Sequence, residues 1–101
     1  MPAQRLRLPT SALQDTRGFT KRSSRLFVVR FKANQLSHPR FAVIVSVKVD
    51  RSAVGRHRLK RRATERMRSR LGGWDTIVTV LPAAKDLSRK EFLQELDRLL
   101  P

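Results

Sequence analysis

The sequence predicts an α+β domain, one sheet of three to four strands packed with helices in the order α-β-β-β-α-β-α. Three observations carry that expectation. Two early segments alternate apolar and polar residues with period two, residues 52–71 repeat with helical period, and a late apolar strand precedes a capped amphipathic helix.

Residues 1–24 are poorly patterned, because Pro9, Thr10, Gly18, Ser23 and Ser24 interrupt any long helix. Thr10 or Ser11 would cap a short one over 12–16. In RLFVVRFKA, Phe27, Val29 and Phe31 share one face, with Leu26, Val28, Arg30 and Lys32 on the other. Residues 34–39 read as a turn. In FAVIVSVKV the odd-numbered residues from Phe41 to Val49 form an apolar face, with Ala42, Ile44, Ser46 and Lys48 opposite. These are expected to be two antiparallel strands. From Ser52 the period lengthens, and Leu59, Ala63, Met67 and Leu71 occupy one arc of a helix. Arg58, Arg61, Arg62, Glu65 and Arg68 project opposite, while Arg56, Lys60 and Arg70 snorkel from its edge. Gly72 and Gly73 are expected to stop the helix. Residues 75–81 form a third strand ended by Pro82. Ser88 and Glu91 make a capping box for a last helix with Phe92, Leu93, Leu96, Leu99 and Leu100 on its apolar stripe.

The chain has 101 residues, one domain's worth, and a formal net charge of +15. It holds no cysteine, which excludes a disulfide framework, a thiolate nucleophile and thiolate-bound zinc. The longest apolar run, residues 41–45, falls far short of the roughly 20 residues that span a bilayer. The N-terminus lacks the apolar core of a secretory signal. A cytoplasmic domain without a membrane partner is expected. The charge is uneven: residues 1–70 carry 19 basic and 3 acidic side chains, and residues 71–101 carry 4 and 5. Such an excess repels itself unless an anionic partner absorbs it.

Catalytic candidates are few. His38 and His57 are the only histidines, and His38 reads as a solvated turn residue. Asp75, Asp86, Glu91, Glu95 and Asp97 read as solvated acids rather than a metal or acid–base site. Nothing in the sequence indicates an active site in the protein itself, or a cofactor bound by it. The binding constellation is dense instead. Residues 51–70 hold nine basic side chains, eight of them arginine, against Glu65 alone. An ordinary exposed helix interleaves acids at i,i+4. A run of arginines suits phosphate, whose oxygens match the planar guanidinium fork. A second surface is the outer face of the two long strands, with Val28, Arg30, Ile44, Ser46 and Lys48. It suits an extended single strand of nucleic acid, or a cover formed by the N-terminal segment.

Residues 25–100 resemble the bacterial ribonuclease P protein component. SAVGRHRLKRRATER at 52–66 is similar to that family's signature helix, with its Arg-Asn-Arg motif and following Lys-Arg. Ala53, Val54, Arg56, Arg58, Lys60, Arg61 and Glu65 match. PRFAVIVSVKV resembles the strand leading into a Ser-Lys-Lys-Val segment, with Ser46, Lys48 and Val49 in place. GWDTIVTVLP resembles the family's Asp-Ile-Val-Val strand, and residues 88–100 fall where it has its last helix. Five departures stand out. His57 replaces the motif's asparagine, Thr64 replaces an arginine, and Val47 replaces the first lysine of the run. The first helix lacks the family's aromatic residues, and Arg30 stands where tyrosine is frequent.

The resemblance implies a ribosomal-protein-like fold with a left-handed βαβ crossover, and a non-catalytic subunit of an RNA enzyme. In that reading the catalytic RNA, using magnesium, removes the 5′ leader from precursor tRNA, and no obligate protein partner is implied. Arg51, Arg56, His57, Arg58, Lys60, Arg61, Arg62 and Arg68 would contact the RNA. Val28, Arg30, Ser46 and Lys48 would line the leader cleft. The alternative is a structural, ribosome-associated RNA-binding module of the same fold. Arg58→Ala is expected to weaken RNA binding and flatten its salt dependence by about one phosphate contact. A binding titration over a range of salt concentrations checks this, and an unchanged slope contradicts it.

Overall fold

The computed structural model describes residues 7–70 and 72–101. Helix α1 (Thr10–Gln14) precedes strands β1 (Thr20–Ser23), β2 (Phe27–Ala33) and β3 (Arg40–Val45). Helix α2 (Ala53–Arg68), strand β4 (Trp74–Val80), a 3-10 turn (Pro82–Ala84) and helix α3 (Arg89–Leu99) complete the chain. The strands form one mixed sheet in the order β1-β2-β4-β3. The predicted class and element order are therefore observed. β1, which no patterned segment located, is a four-residue edge strand with every side chain exposed. A short charged strand of this kind protects a sheet edge and carries no alternation to read.

The neighbour relations differ from expectation. β2 and β3 run in opposite directions but do not pair, because β4 lies between them, antiparallel to β2 and parallel to β3. β4 is buried over most of its length. Its near-continuous TIVTV run is the sequence mark of a central strand covered on both faces. Parallel pairing obliges the chain to leave β3 at one end and return at the other, and α2 makes that crossing.

β3 also ends earlier than its alternation suggests. Val45 pairs with Val80, the last residue of β4, and Pro82 cannot extend the ladder. With no partner left, residues 46–49 turn away, closed by Val49 N–H donating to Ser46 O at 3.0 Å. Val47 is 62% exposed, whereas Val49 still reaches the core.

The inner face of the sheet carries Phe27, Val29, Phe31, Phe41, Val43, Val78 and Val80 against Leu59, Ala63 and Met67 of α2 and Phe92 and Leu96 of α3. Phe27 and Phe92 meet edge to face at 5.0 Å. Burying each ring contributes about 1.5–3 kcal/mol. α2 starts where Ser52 accepts from Gly55 N–H at 2.8 Å. α3 starts with the anticipated capping box, Ser88 and Glu91 each accepting from the other's backbone. Neither Thr10 nor Ser11 caps α1, since Pro9 takes that position without a side-chain bond. Leu71, the expected last apolar residue of the α2 arc, lies outside the described residues. Arg5 and the rest of residues 1–6 do too.

Gly72 and Gly73 do not stop α2, which ends at Arg68 with Ser69 as its cap. Gly72 turns the chain at φ +104°, and Gly73 permits close approach. A Cβ on Gly73 would collide with the Leu36 carbonyl and the Asn34 side chain. Those contacts belong to a clamp centred on Asp75, which is 2% exposed rather than solvated. Arg40 reaches it with two hydrogen bonds, Nε to Oδ1 at 2.9 Å and Nη2 to Oδ2 at 2.7 Å. Asn34 Nδ2 donates to Oδ1 at 2.9 Å, and Asn34 N–H donates to Gly73 O at 2.8 Å. His38, expected to be solvated, is half-buried in this turn.

Burial by itself raises the Asp75 pKa, but the hydrogen bonds from Arg40 and Asn34 together outweigh it and hold the carboxyl below its usual value. A depressed folded-state pKa gives stability that is complete above the unfolded aspartate value of about 3.9 and is lost as pH falls through the folded value. Asp75→Asn is expected to cost roughly 2–4 kcal/mol at pH 7, because Arg40 is left without its carboxylate. In urea unfolding the gap to wild type should narrow below about pH 4. A gap that stays constant into strong acid contradicts the assignment.

Candidate nucleic-acid interface

Once Leu59, Ala63 and Met67 face the core, the helical repeat assigns every other α2 side chain to one of three flanks. The outermost flank exposes His57, Arg58, Arg61, Glu65 and Arg68, with Val54 82% exposed near its start. This is a cationic surface with one acid, and Arg51 stands exposed just before it. Glu65 is held by Arg89 of α3 at 3.4 Å.

The second flank faces α3, and its cations are partly structural. Arg66 and, just past the end of the helix, Arg70 approach Asp97 at 3.4 and 3.7 Å, and Arg70 Nη2 donates to Pro101 O at 2.7 Å. Arg62 is half-buried, its guanidinium 5.1 Å from the centre of the Phe92 ring. Of the arginines that the sequence aligns for RNA contact, Arg62 is thus turned toward the neighbouring helix.

The third flank faces the free edge of β3 and carries Arg56, Lys60 and Thr64. Arg56 is half-buried and donates through Nη1 to Asp50 O at 3.0 Å and Arg51 O at 2.9 Å. It ties the turn before α2 to the helix, so its charge is committed partly to structure. Between this flank and β3 lies an open cleft of about 510 Å³. Ala42 and Ile44 line it from β3, His57, Lys60 and Thr64 from α2, and Leu13 from α1. The segment before α1 closes one side, where Arg7 bridges Phe41 and Leu8 N–H donates to Phe41 O at 3.2 Å. Leu8 is 3% exposed. His57, Lys60 and Thr64 also border a smaller depression with Arg61 and Arg68, so the cleft is continuous with the exposed flank.

The other sequence-derived group is spread out. Val28 and Arg30 are half-buried on the outer face of β2, in register with Thr79 and Ile77 of β4. Those residues are in turn opposite Ile44 and Ala42. Ser46 and Lys48 leave the sheet in the turn after β3, both exposed. Lys48 lines a shallow depression with Asp50, Arg51 and Lys85. Sequence reasoning missed Leu8, Leu13 and the cleft itself, because β3 becomes a free edge only when β4 inserts on its other side. Phe19, the aromatic nearest α1, carries Lys32 over its ring at 4.9 Å. Among the described residues no group of three or more His, Cys, Asp or Glu is placed to hold a metal ion, and no helix is long and apolar enough to cross a membrane.

An arginine-rich helix laid along one edge of a small mixed sheet, with a cleft between them, defines a basic α+β protein suited to a polyanion. Over residues 3–101 the chain matches the Ribonuclease P family, and it belongs to that family. A ribonuclease P protein component from Synechococcus elongatus is 40% identical over 93 residues, covering 83% of this chain and 76% of the relative. One from Vibrio campbellii is 38% identical over 76 residues, covering 72% and 64%. The fold superposes on a Staphylococcus aureus RNase P protein, a mutant with defective mRNA degradation activity, with a TM-score of 0.83 at 26% identity. That match covers 96% of this chain and 86% of the other. The RNase P protein from Thermotoga maritima shares the fold, with a TM-score of 0.73 at 23% identity over 94% of this chain and 98% of its own.

Two arginines on different flanks of α2 should respond differently to substitution. Arg56→Ala is expected to cost about 1–3 kcal/mol in chemical unfolding, because two backbone carbonyls lose a charged donor. Arg61→Ala, on the exposed flank, should change stability by less than about 0.5 kcal/mol. Equal effects would show that the Arg56 bonds hold nothing together.

Proposed function

We propose that this chain is the protein subunit of a ribonuclease P, docking on the catalytic RNA through the exposed flank of α2. It assists binding of precursor tRNA and removal of its 5′ leader, while the RNA and its magnesium perform the cleavage. The observation that carries this reading is the unbalanced cationic flank, with Arg58, Arg61 and Arg68 beside His57 against a single glutamate already paired to Arg89. Such a surface gains more from releasing the counterions of a phosphate backbone than from any contact within the chain.

The leader lies in or beside the cleft. Ala42 and Ile44 supply an apolar floor, and Lys60 and His57 supply a polar wall against which a phosphate can rest. Val28 and Arg30 extend the floor across β4, and Ser46 and Lys48 stand at its far end. Without aromatics in α1, base stacking falls to the Arg30 guanidinium, which stacks on a base plane as an aromatic ring would.

Precursor tRNA incubated with the cognate catalytic RNA at low magnesium, with and without this protein, tests the proposal. The protein is expected to accelerate leader removal. No acceleration contradicts the reading, and cleavage by the protein without RNA would place the chemistry in the protein instead.

A further inference from the structure

The interface between α2 and α3 is unevenly charged along its length. At one end Arg66 and Arg70 converge on Asp97, the arrangement expected where cations are brought between helices. At the other end Glu65 meets Arg89 at 3.4 Å, and among the described residues no ion pair reaches Arg62. Arg58 and Arg62 lie one turn apart on α2 and therefore on adjoining ground. Arg89 opens α3 one turn before Phe92, the ring that Arg62 covers, and reaches Glu65, which follows Arg62 by three residues. The guanidinium groups of Arg58 and Arg89 thus lie close enough to Arg62 to act on its charge, while Glu65 pairs with Arg89 at 3.4 Å.

Arg62 Nη1 is buried and donates to no acceptor among the described residues. A buried charged donor without an acceptor is destabilising, and so are like charges held side by side. Burial first, then the charges of Arg58 and Arg89, make the Arg62 guanidinium easier to deprotonate than usual. An anion seated among the three would relieve both costs, and a phosphate oxygen suits the guanidinium fork.

We propose that Arg58, Arg62 and Arg89 form a phosphate-binding site between α2 and α3, with Arg62 Nη1 as its innermost donor. The site deepens the reading of α2 as an RNA surface, on which it rests for the source of the phosphate. It extends the RNA footprint from α2 onto the start of α3, where the sequence singles out no residue for RNA contact.

NMR of the arginine side-chain N–H groups in the full chain, titrated with inorganic phosphate against chloride at matched ionic strength, tests the site directly. The Arg62 and Arg89 signals are expected to shift saturably, at concentrations that leave Arg61 unmoved. Shifts that only follow Arg61 without saturating mean an adventitious ion only, and overturn the proposal. Arg62→Met keeps an unbranched stem over Phe92 while removing the charge. In phosphate-free, low-salt buffer it should melt at or above the wild-type temperature and lose the Arg89 response. A lower melting temperature with that response intact would show that Arg62 merely packs.

The source is distinguished by binding of the cognate ribonuclease P RNA over a range of salt concentrations. Arg89→Ala should lower the slope by about 0.7–0.9, one contact's worth. An unchanged slope with the phosphate response present assigns the site to free phosphate and overturns the RNA source. If the wild-type chain does not bind that RNA while Arg62 still takes phosphate, the functional reading fails and the site stands.

Discussion

The insertion of β4 between β2 and β3 is the constraint from which the rest of the molecule follows. It makes a late segment the centre of the sheet, leaves β3 as a free edge and forces α2 to cross from one end of the sheet to the other. The Asp75 clamp fixes its register at the start of the strand. A buried carboxylate there must be met by a cation and hydrogen-bond donors, and Arg40 and Asn34 supply both only when β4 lies between the strand and turn that carry them. At the opposite end Val45 and Val80 are the last pair, and the chain turns out of the sheet toward α2.

The crossing helix then divides its own charge. Leu59, Ala63 and Met67 set its rotation by entering the core, which leaves one basic flank toward solvent, one toward the β3 edge and one toward α3. Arginines that look alike in sequence thereby acquire different work. Arg56 ties down the turn before the helix, Arg66 and Arg70 hold the C-terminal helix, and Arg58 and Arg61 are presented outward. The exposed cationic flank and the packing face are built from one run of residues, so the arginine-rich helix is also a packing element of the core.

Much of this was legible beforehand. The period-two faces of Phe27–Phe31 and Phe41–Val43, the Ser88–Glu91 capping box and the Leu59, Ala63 and Met67 part of the α2 arc appear where the sequence puts them. Local patterns survive because side-chain direction follows directly from strand or helix geometry. Three features did not carry over. The alternation through Val49 promised a longer β3 than its partner strand can pair. The Gly72–Gly73 pair looked like a helix stop, whereas Gly73 provides close approach to Leu36. Asp75 looked like one more surface acid because its partners are 35 and 41 positions away in the chain.

The class of fold, the identity of the basic helix and the membership of a family are readable along the chain, since each rests on residues close together in it. Tertiary structure alone decided which strands are neighbours, where the cleft opens and which arginines face outward. Those outcomes depend on pairing across long separations, where one buried carboxylate and one central strand outweigh every local preference. The same charge of +15 that marks the chain as a partner for a polyanion is spent partly inside the fold, and only the packing of α2 against α3 and the sheet shows how much remains for the partner.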